Sequence, residues 1–339
     1  MGKLYQHRAC RVYTTLMAVA ALLVAVPLHV PAQQQQQTAS SVAQPVRFLF
    51  TIVDKNRQAV TTLRKEDISV SEDEQPQEIL NLERQTDQPL SLVILIDTSV
   101  SQERTLPNAK LAARAFVDSI MRPGKDRFGI SSFTGKTTVV TPLTDDIARV
   151  RQAIEDVRFT PPPGYLGMGQ VAMPSRKLDK DQMLVGSTSL WDAVWTTSEE
   201  ALDAPVGTTR RAIVLITDGF DTGSRTKMNE AIDRAIKAET LVFAIAIGDE
   251  YYGGVDAQPL RTISERTGAR SFAPEKISDL PKIFTEIEQQ LQSQYSVTYL
   301  PVNRKPNGPL RKIRIEVVNP VLRKEKLRLF HARSYFPKG

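Results

Sequence analysis

The stretch Leu90-Ser91-Leu92-Val93-Ile94-Leu95-Ile96 is apolar at almost every position and stops at Asp97, with Ser99 and Ser101 following at two-residue spacing. Apolar side chains on both faces fit a central strand of a parallel sheet, covered by helices on each side, rather than a half-exposed strand that alternates. Ligands in open α/β sheets bind beyond the carboxyl ends of such strands. Asp97, Ser99 and Ser101 would stand there. The same residue types also cap helices, so the triplet by itself leaves both readings open.

Two distant stretches extend the pattern. Gly186-Ser187-Thr188-Ser189-Leu190-Trp191-Asp192 puts Thr188 at the mouth of a helix, and Ala212-Ile213-Val214-Leu215-Ile216-Thr217-Asp218-Gly219 is a second buried strand ending on a carboxylate. Taken together, Asp97, Ser99, Ser101, Thr188 and Asp218 resemble the metal-ion-dependent adhesion site (MIDAS) of von Willebrand factor A (VWA) domains. The resemblance implies an α/β fold with a doubly wound, mainly parallel six-stranded sheet. It also implies that Ser99, Ser101 and Thr188 ligate a metal directly or through water, while Asp97 and Asp218 neutralise its charge. Carboxylates and hydroxyls are hard oxygen ligands, which suit Mg²⁺, Mn²⁺ or Ca²⁺. In VWA domains a partner protein's Asp or Glu carboxylate completes such a site. Asp192 and Asp221 lie close in sequence and could support the ligands from behind, but such residues are more often solvated or capping and are left out of the site.

The N-terminus narrows the chemistry further. Lys3, Arg8 and Arg11 precede an apolar segment from Thr14 to Leu28, and Val30-Pro31-Ala32 offers a small-residue cleavage point, so residues 1–32 read as an export signal. An uncleaved anchor is the alternative, although the segment is short of the roughly 20 residues a spanning helix needs. Cys10, His7 and His29 all fall inside it, leaving His331 as the one histidine of the processed chain. That excludes disulfides, Cys-based zinc sites and multi-His clusters. A Ser-His-Asp triad would need His331, and no Gly-x-Ser-x-Gly elbow accompanies it. With 44 basic and 38 acidic residues overall, and three of the basic ones in the signal, the charge balance gives no case for nucleic acid. Basic residues do crowd the stretch 303–338.

Residues 33–45 form a polar, glutamine-rich leader. Val46–Asp54, Asp67–Ser71 and Glu78–Leu82 then alternate as short strands, as do Gln294–Leu300, Arg311–Val317 and Leu327–Phe330 near the other end. Neither set can enclose a core alone. Segments 46–85 and 294–339 are therefore expected to combine into one small β module flanking a VWA domain at 86–293. This layout resembles secreted bacterial proteins of the VWFA-related acidobacterial type. Inside the domain, helices are expected at 106–121, 147–157, 189–204, 229–238, 260–267 and 280–292. Trp191 and Trp195 are read as core residues of the third of these.

The connection from Phe159 to Val185 lacks periodicity. Connections of that kind are functional or disordered. Tyr165 within it, and Tyr251 and Tyr252 beyond the expected strand 241–247, are candidate partner-binding residues because exposed tyrosines anchor interfaces. The resulting expectation is an exported or envelope-located, non-enzymatic module that captures a protein carboxylate through its metal. A scaffold with a site that binds no ligand is the alternative. A metal-dependent hydrolase ranks last, since no general base stands out.

Overall fold

Both ends of the sequence contribute strands, and between them strand and helix alternate. β1 (Val46–Val53), β2 (Ile68–Glu72), β3 (Gln75–Gln77) and β4 (Ile79–Arg84) come first. Next are β5 (Leu90–Asp97), α1 (Leu106–Ile120), β6 (Arg127–Phe133), β7 (Thr137–Thr144) and α2 (Ile147–Asp156). A short hairpin follows, β8 (Tyr165–Gly167) and β9 (Gln170–Val171). The series continues with α3 (Leu190–Glu200), β10 (Arg210–Thr217), α4 (Met228–Lys237) and β11 (Thr240–Ala246). It runs on through α5 (Ala257–Thr267), β12 (Ser271–Phe272) and α6 (Leu280–Gln292). The last elements are β13 (Gln294–Tyr299), β14 (Arg311–Val317), α7 (Pro320–Lys324), β15 (Arg328–His331) and β16 (Ser334–Tyr335). This computed structural model describes residues 44–85, 87–172, 185–200, 209–305 and 307–337. Residues 1–32, expected to be an export signal, the expected leader up to residue 43, residues 173–184 and the stretch 201–208, where the third helix was expected to end, lie outside them.

The central sheet has the order β12-β11-β10-β5-β6-β7, and only the β6–β7 pairing is antiparallel. β5 and β10 sit in its middle and are buried at all positions, as expected for strands covered on both faces. Alternate residues divide between two cores. Leu92, Ile94 and Ile96 pack with side chains of α1, α2 and α6, while Leu95, Ile213 and Leu215 pack with those of α3, α4 and α5. Each such side chain removed from water contributes about 1.5–3 kcal/mol. The fold is α/β and doubly wound.

Helix boundaries follow their caps. Asp146 accepts from Ala148 N and Arg149 N at 2.9 and 3.2 Å and starts α2. α5 begins at Ala257, three residues before the expected Leu260, because Asp256 is its N-cap and accepts from Gln258 N. One expectation fails on α3. Trp191 is 7% exposed, but Trp195 is 40% exposed and carries the Arg234 guanidinium 5.4 Å from its ring centroid. The buried face of α3 runs through Leu190, Ala193, Val194 and Ser198, and Trp195 lies one step off it. An indole tolerates that place because its face attracts a cation.

The end segments form two further sheets, β15-β1-β13-β4 and β16-β14-β2-β3. In the first, β1 pairs with β13 and β15; in the second, β2 pairs with β14. Phe50, Ile52, Val70, Val297, Tyr299 and Ile315 fill one core between them. Glu286 of α6 ties this module to the central sheet's side of the chain through Arg57 and through Arg270, 2.7 Å away.

Candidate metal centre

β5 delivers Asp97 to the C-terminal edge of the sheet, and β10, paired with it in parallel, delivers Asp218 one residue past its own end. Both carboxylates are 1% exposed. The backbone turns sharply after β5, so that Ser99 N donates to Asp97 Oδ1 at 2.9 Å. Thr98 anchors that turn to β6 through its N and Oγ1, both on Phe133 O. Ser99 Oγ and Ser101 Oγ lie 3.1 Å apart. Ser101 and Gln102 hydrogen-bond the Asp218 carboxylate, which also accepts from Phe220 N at 3.1 Å. A continuous polar chain therefore runs from Asp97 through Ser99 and Ser101 to Asp218.

Thr188 arrives from a third direction. Its N donates to Thr222 Oγ1 at 2.9 Å and its carbonyl accepts from Thr222 N and Gly223 N, while the next residue, Ser189, donates from N to Thr134 O. Thr134 follows β6 and Thr222 follows Asp218, so Thr188 is held between the loops on either side of Asp97. These bonds use only its main chain and leave the hydroxyl uncommitted by them. The five residues are thus brought to one edge of one sheet.

Electrostatics distinguish this edge from an ordinary capped loop. Burial, and after it the charge of Asp218, pushes the Asp97 carboxyl up to about 7. Asp218 is raised as well, by its own burial. Among the described residues no cation faces either group, and no cluster of three or more His, Cys, Asp or Glu exists that could hold a metal. A pair of buried, mutually repelling carboxylates ringed by serine and threonine hydroxyls is a donor set for one hard divalent ion. The residues present fit such an ion.

Several supporting residues escape a reading of the sequence. Thr217 Oγ1 donates to Asp97 Oδ2 at 2.7 Å and accepts from Gly219 N. Gln102 donates to Ile247 O at 3.1 Å, which joins the motif turn to the end of β11. The adjacency of Thr217 to Asp218 and the Asp-Gly turn signal were the only hints. Asp221 and Asp192 are structural: the first accepts from Leu190 N at the start of α3, the second from Arg225 N and Thr226 N.

The three tyrosines gather on the same rim. Tyr165 and Tyr252 donate their hydroxyls to one oxygen of Glu103, at 2.6 and 2.9 Å. Tyr251 is 55% exposed, and its hydroxyl donates to Met168 O. Glu103 extends the two-residue spacing of Asp97, Ser99 and Ser101 by one more step. The connection after Phe159 accordingly has structure in its first half, the β8–β9 hairpin, where none was legible.

Residues 92–220 match a family model described as von Willebrand factor type A domain, and residues 167–286 match a second model of the same description. The first span contains all five residues of the site. No curated protein matches the chain. Among solved structures, a von Willebrand factor type A protein from Catenulispora acidiphila is 14% identical with a TM-score of 0.47, covering 82% of this chain and 72% of that one. BatB from Bacteroides thetaiotaomicron is 18% identical, with a TM-score of 0.44 over 60% of this chain and 100% of that chain. Proximal thread matrix protein 1 of the mussel byssus, with a zinc-occupied MIDAS motif, is 17% identical at a TM-score of 0.44. The match covers 61% of this chain and 48% of the mussel protein.

Proposed function

Because the chain carries a von Willebrand factor type A domain, we propose that Asp97, Ser99, Ser101, Thr188 and Asp218 hold a divalent cation and that the loaded site captures a carboxylate of a protein partner. The observation that carries this reading is the pair of buried carboxylates, Asp97 and Asp218, with no cation against them among the described residues. Burying two such charges is costly unless a positive charge compensates them. Ser99, Ser101 and Thr188 supply neutral oxygens around that charge, the hard set that Mg²⁺, Mn²⁺ or Ca²⁺ accepts. A bound ion there offers an open coordination position to an anionic oxygen. The protein's part is to keep its own ligands fixed, through Thr217 on Asp97, Phe220 N on Asp218 and Thr222 on Thr188.

The partner acts outside the cytoplasm on this reading, by virtue of the export signal at 1–32. Among the described residues no helix is long and apolar enough to cross a membrane. Titration calorimetry with Mg²⁺, Mn²⁺, Ca²⁺ and Zn²⁺ tests the site. Binding that is lost in Asp97→Ala supports it, and identical heats for wild type and variant overturn it. A pull-down from envelope extract with Mg²⁺ against chelator then tests the partner step, and distinguishes a binding module from a scaffold whose site only folds its loops.

A further inference from the structure

We propose that the tip of the β8–β9 hairpin, Leu166 and Met168 together with Tyr251, is a preformed apolar docking surface that reads the side chains flanking the partner's acidic residue. This deepens the reading above and rests on it. The tip is tied by hydrogen bonds to the loop that carries Ser99 and Ser101. Thr160 N, five residues ahead of Tyr165, donates to Thr98 O inside the motif turn at 3.3 Å, and Glu103 stands two residues beyond Ser101. Phe220, two residues beyond Asp218 and 37% exposed, lies beside Gly253 in the turn that carries Tyr251 and Tyr252.

The tip is a two-residue hairpin loop, Met168-Gly169, between the paired Gly167 and Gln170. Gly167, Met168 and Gly169 all adopt left-handed backbone, with φ of 100, 50 and 73°. For a methionine that conformation is strained. It is held by a set of bonds converging on the turn. The Met168 backbone is hydrogen-bonded to Glu103, Met168 O accepts from Tyr251 OH, and Gly169 N donates to Tyr165 OH. Tyr165 and Tyr252 in turn close on Glu103.

What this device presents to water is apolar. Leu166 is 71% exposed, Met168 58% and Val171 49%, and no residue from Tyr165 to Val171 is charged. Large apolar side chains clustered in water mark an interaction surface, and a rigid one loses little entropy on docking. Methionine adapts to varied apolar partners. The occupant follows from what stands beside the tip. Asp97 and Asp218 demand a cation, the cation demands an anionic oxygen, and the loop that carries Ser99 and Ser101 also holds this apolar tip through Glu103. The fitting partner is a protein segment with an Asp or Glu flanked by bulky aliphatic or aromatic residues.

Two pools of labelled heptapeptides with a fixed central Glu test this on the full chain in Mn²⁺, one pool randomised over Leu, Ile, Phe and Met at the flanks, the other over Ser, Thr, Asn and Gly. Wild type is expected to retain the apolar pool about tenfold more tightly, the effect of burying one further side chain. The double variant Leu166→Ser, Met168→Ser changes two mostly exposed side chains and is expected to lose that preference with its Mn²⁺ calorimetry unchanged. Equal retention of both pools by wild type, or a preference that survives in the double variant, overturns the proposal. Failure of the metal reading is seen separately, as unchanged Mn²⁺ heats in Asp97→Ala.

Discussion

Glu72 on β2 and Arg311 on β14 form an ion pair with 2.9 Å between Oε1 and Nη1, and their side chains are 2% and 3% exposed. The second Glu72 oxygen accepts from Tyr299 OH and Tyr335 OH, each at 2.8 Å, and Arg311 also donates to Asn303 O at 2.7 Å. One acidic residue from the front of the chain thereby organises three residues from its end. Arg311→Ala would strand the Glu72 carboxylate in the β core, which costs about 3–5 kcal/mol. Urea denaturation of wild type and variant measures it. A variant midpoint equal to that of wild type would show that the pair contributes nothing.

The raised Asp97 carboxyl gives the metal-free protein a defined pH dependence. Its folded value of about 7 lies above the ordinary unfolded value near 4. The folded state therefore binds that proton more tightly, so the group is neutral to stability below about pH 4 and fully destabilising above about pH 7. The gap corresponds to about 4 kcal/mol. In EDTA, wild-type Tm should fall as pH rises from about 4 to about 7 and level off above that, and Asp97→Asn should fall less, Asp218 still contributing in the same direction. Mg²⁺ at pH 8 should raise wild type and leave Asp97→Asn unmoved. A wild-type profile that is flat in EDTA contradicts the argument.

The central sheet was legible because strands report locally, and so were the five residues proposed as its site. A run such as Leu90 to Asp97 shows burial on both faces in its own residues, and five polar side chains at strand ends and a helix mouth were readable at once. The relations that failed to show in the sequence are the non-local ones. Nothing in Arg311-Lys312-Ile313 distinguishes a buried arginine from a surface one, since the identity depends on Glu72, 239 residues away. Trp195 and Trp191 have the same composition cue, and only the exact face of α3 separates them. The β8–β9 hairpin carries no alternation because its turn is set by glycines in left-handed backbone and by Glu103, a residue that reads as a solvated acid.

Interleaving of the two ends predicts mutual dependence. Both neighbours of β1 are β13 and β15, and β2 is flanked by β14 and β3, so the front segment alone keeps the short β2–β3 pairing and the isolated Val53–Ala59 bridge. A fragment of residues 46–84 should give a narrowly dispersed NMR spectrum, and so should one of residues 294–336. Mixed together they should gain dispersion, because the shared core of Phe50, Val70, Val297 and Ile315 then becomes available. A fragment of residues 86–293 contains both cores that line the central sheet and should fold alone. Good dispersion from 46–84 alone would refute the interleaving as the source of its order.

Gly219 tests whether the metal centre depends on backbone as well as on ligands. It follows Asp218 directly, has φ +91°, and a Cβ added there would meet Asp256 O at 2.1 Å. That carbonyl belongs to the α5 cap, whose own N donates to Asp218 O at 2.8 Å, so the two chains approach as closely as glycine allows. Gly219→Ala must therefore move either Asp218 or the start of α5. Gly124→Ala is the control, since it has φ +73° and nothing within 4 Å of the added Cβ. It should cost only the left-handed strain, about 1–2 kcal/mol, with metal affinity unchanged. Gly219→Ala should cost more in thermal denaturation and lose at least about tenfold in Mn²⁺ affinity by calorimetry, the effect of ~1.4 kcal/mol on the site. Equal losses of stability in the two variants, together with wild-type Mn²⁺ affinity in Gly219→Ala, would show that the turn after β10 adapts and that the ligands are positioned by their hydrogen bonds alone.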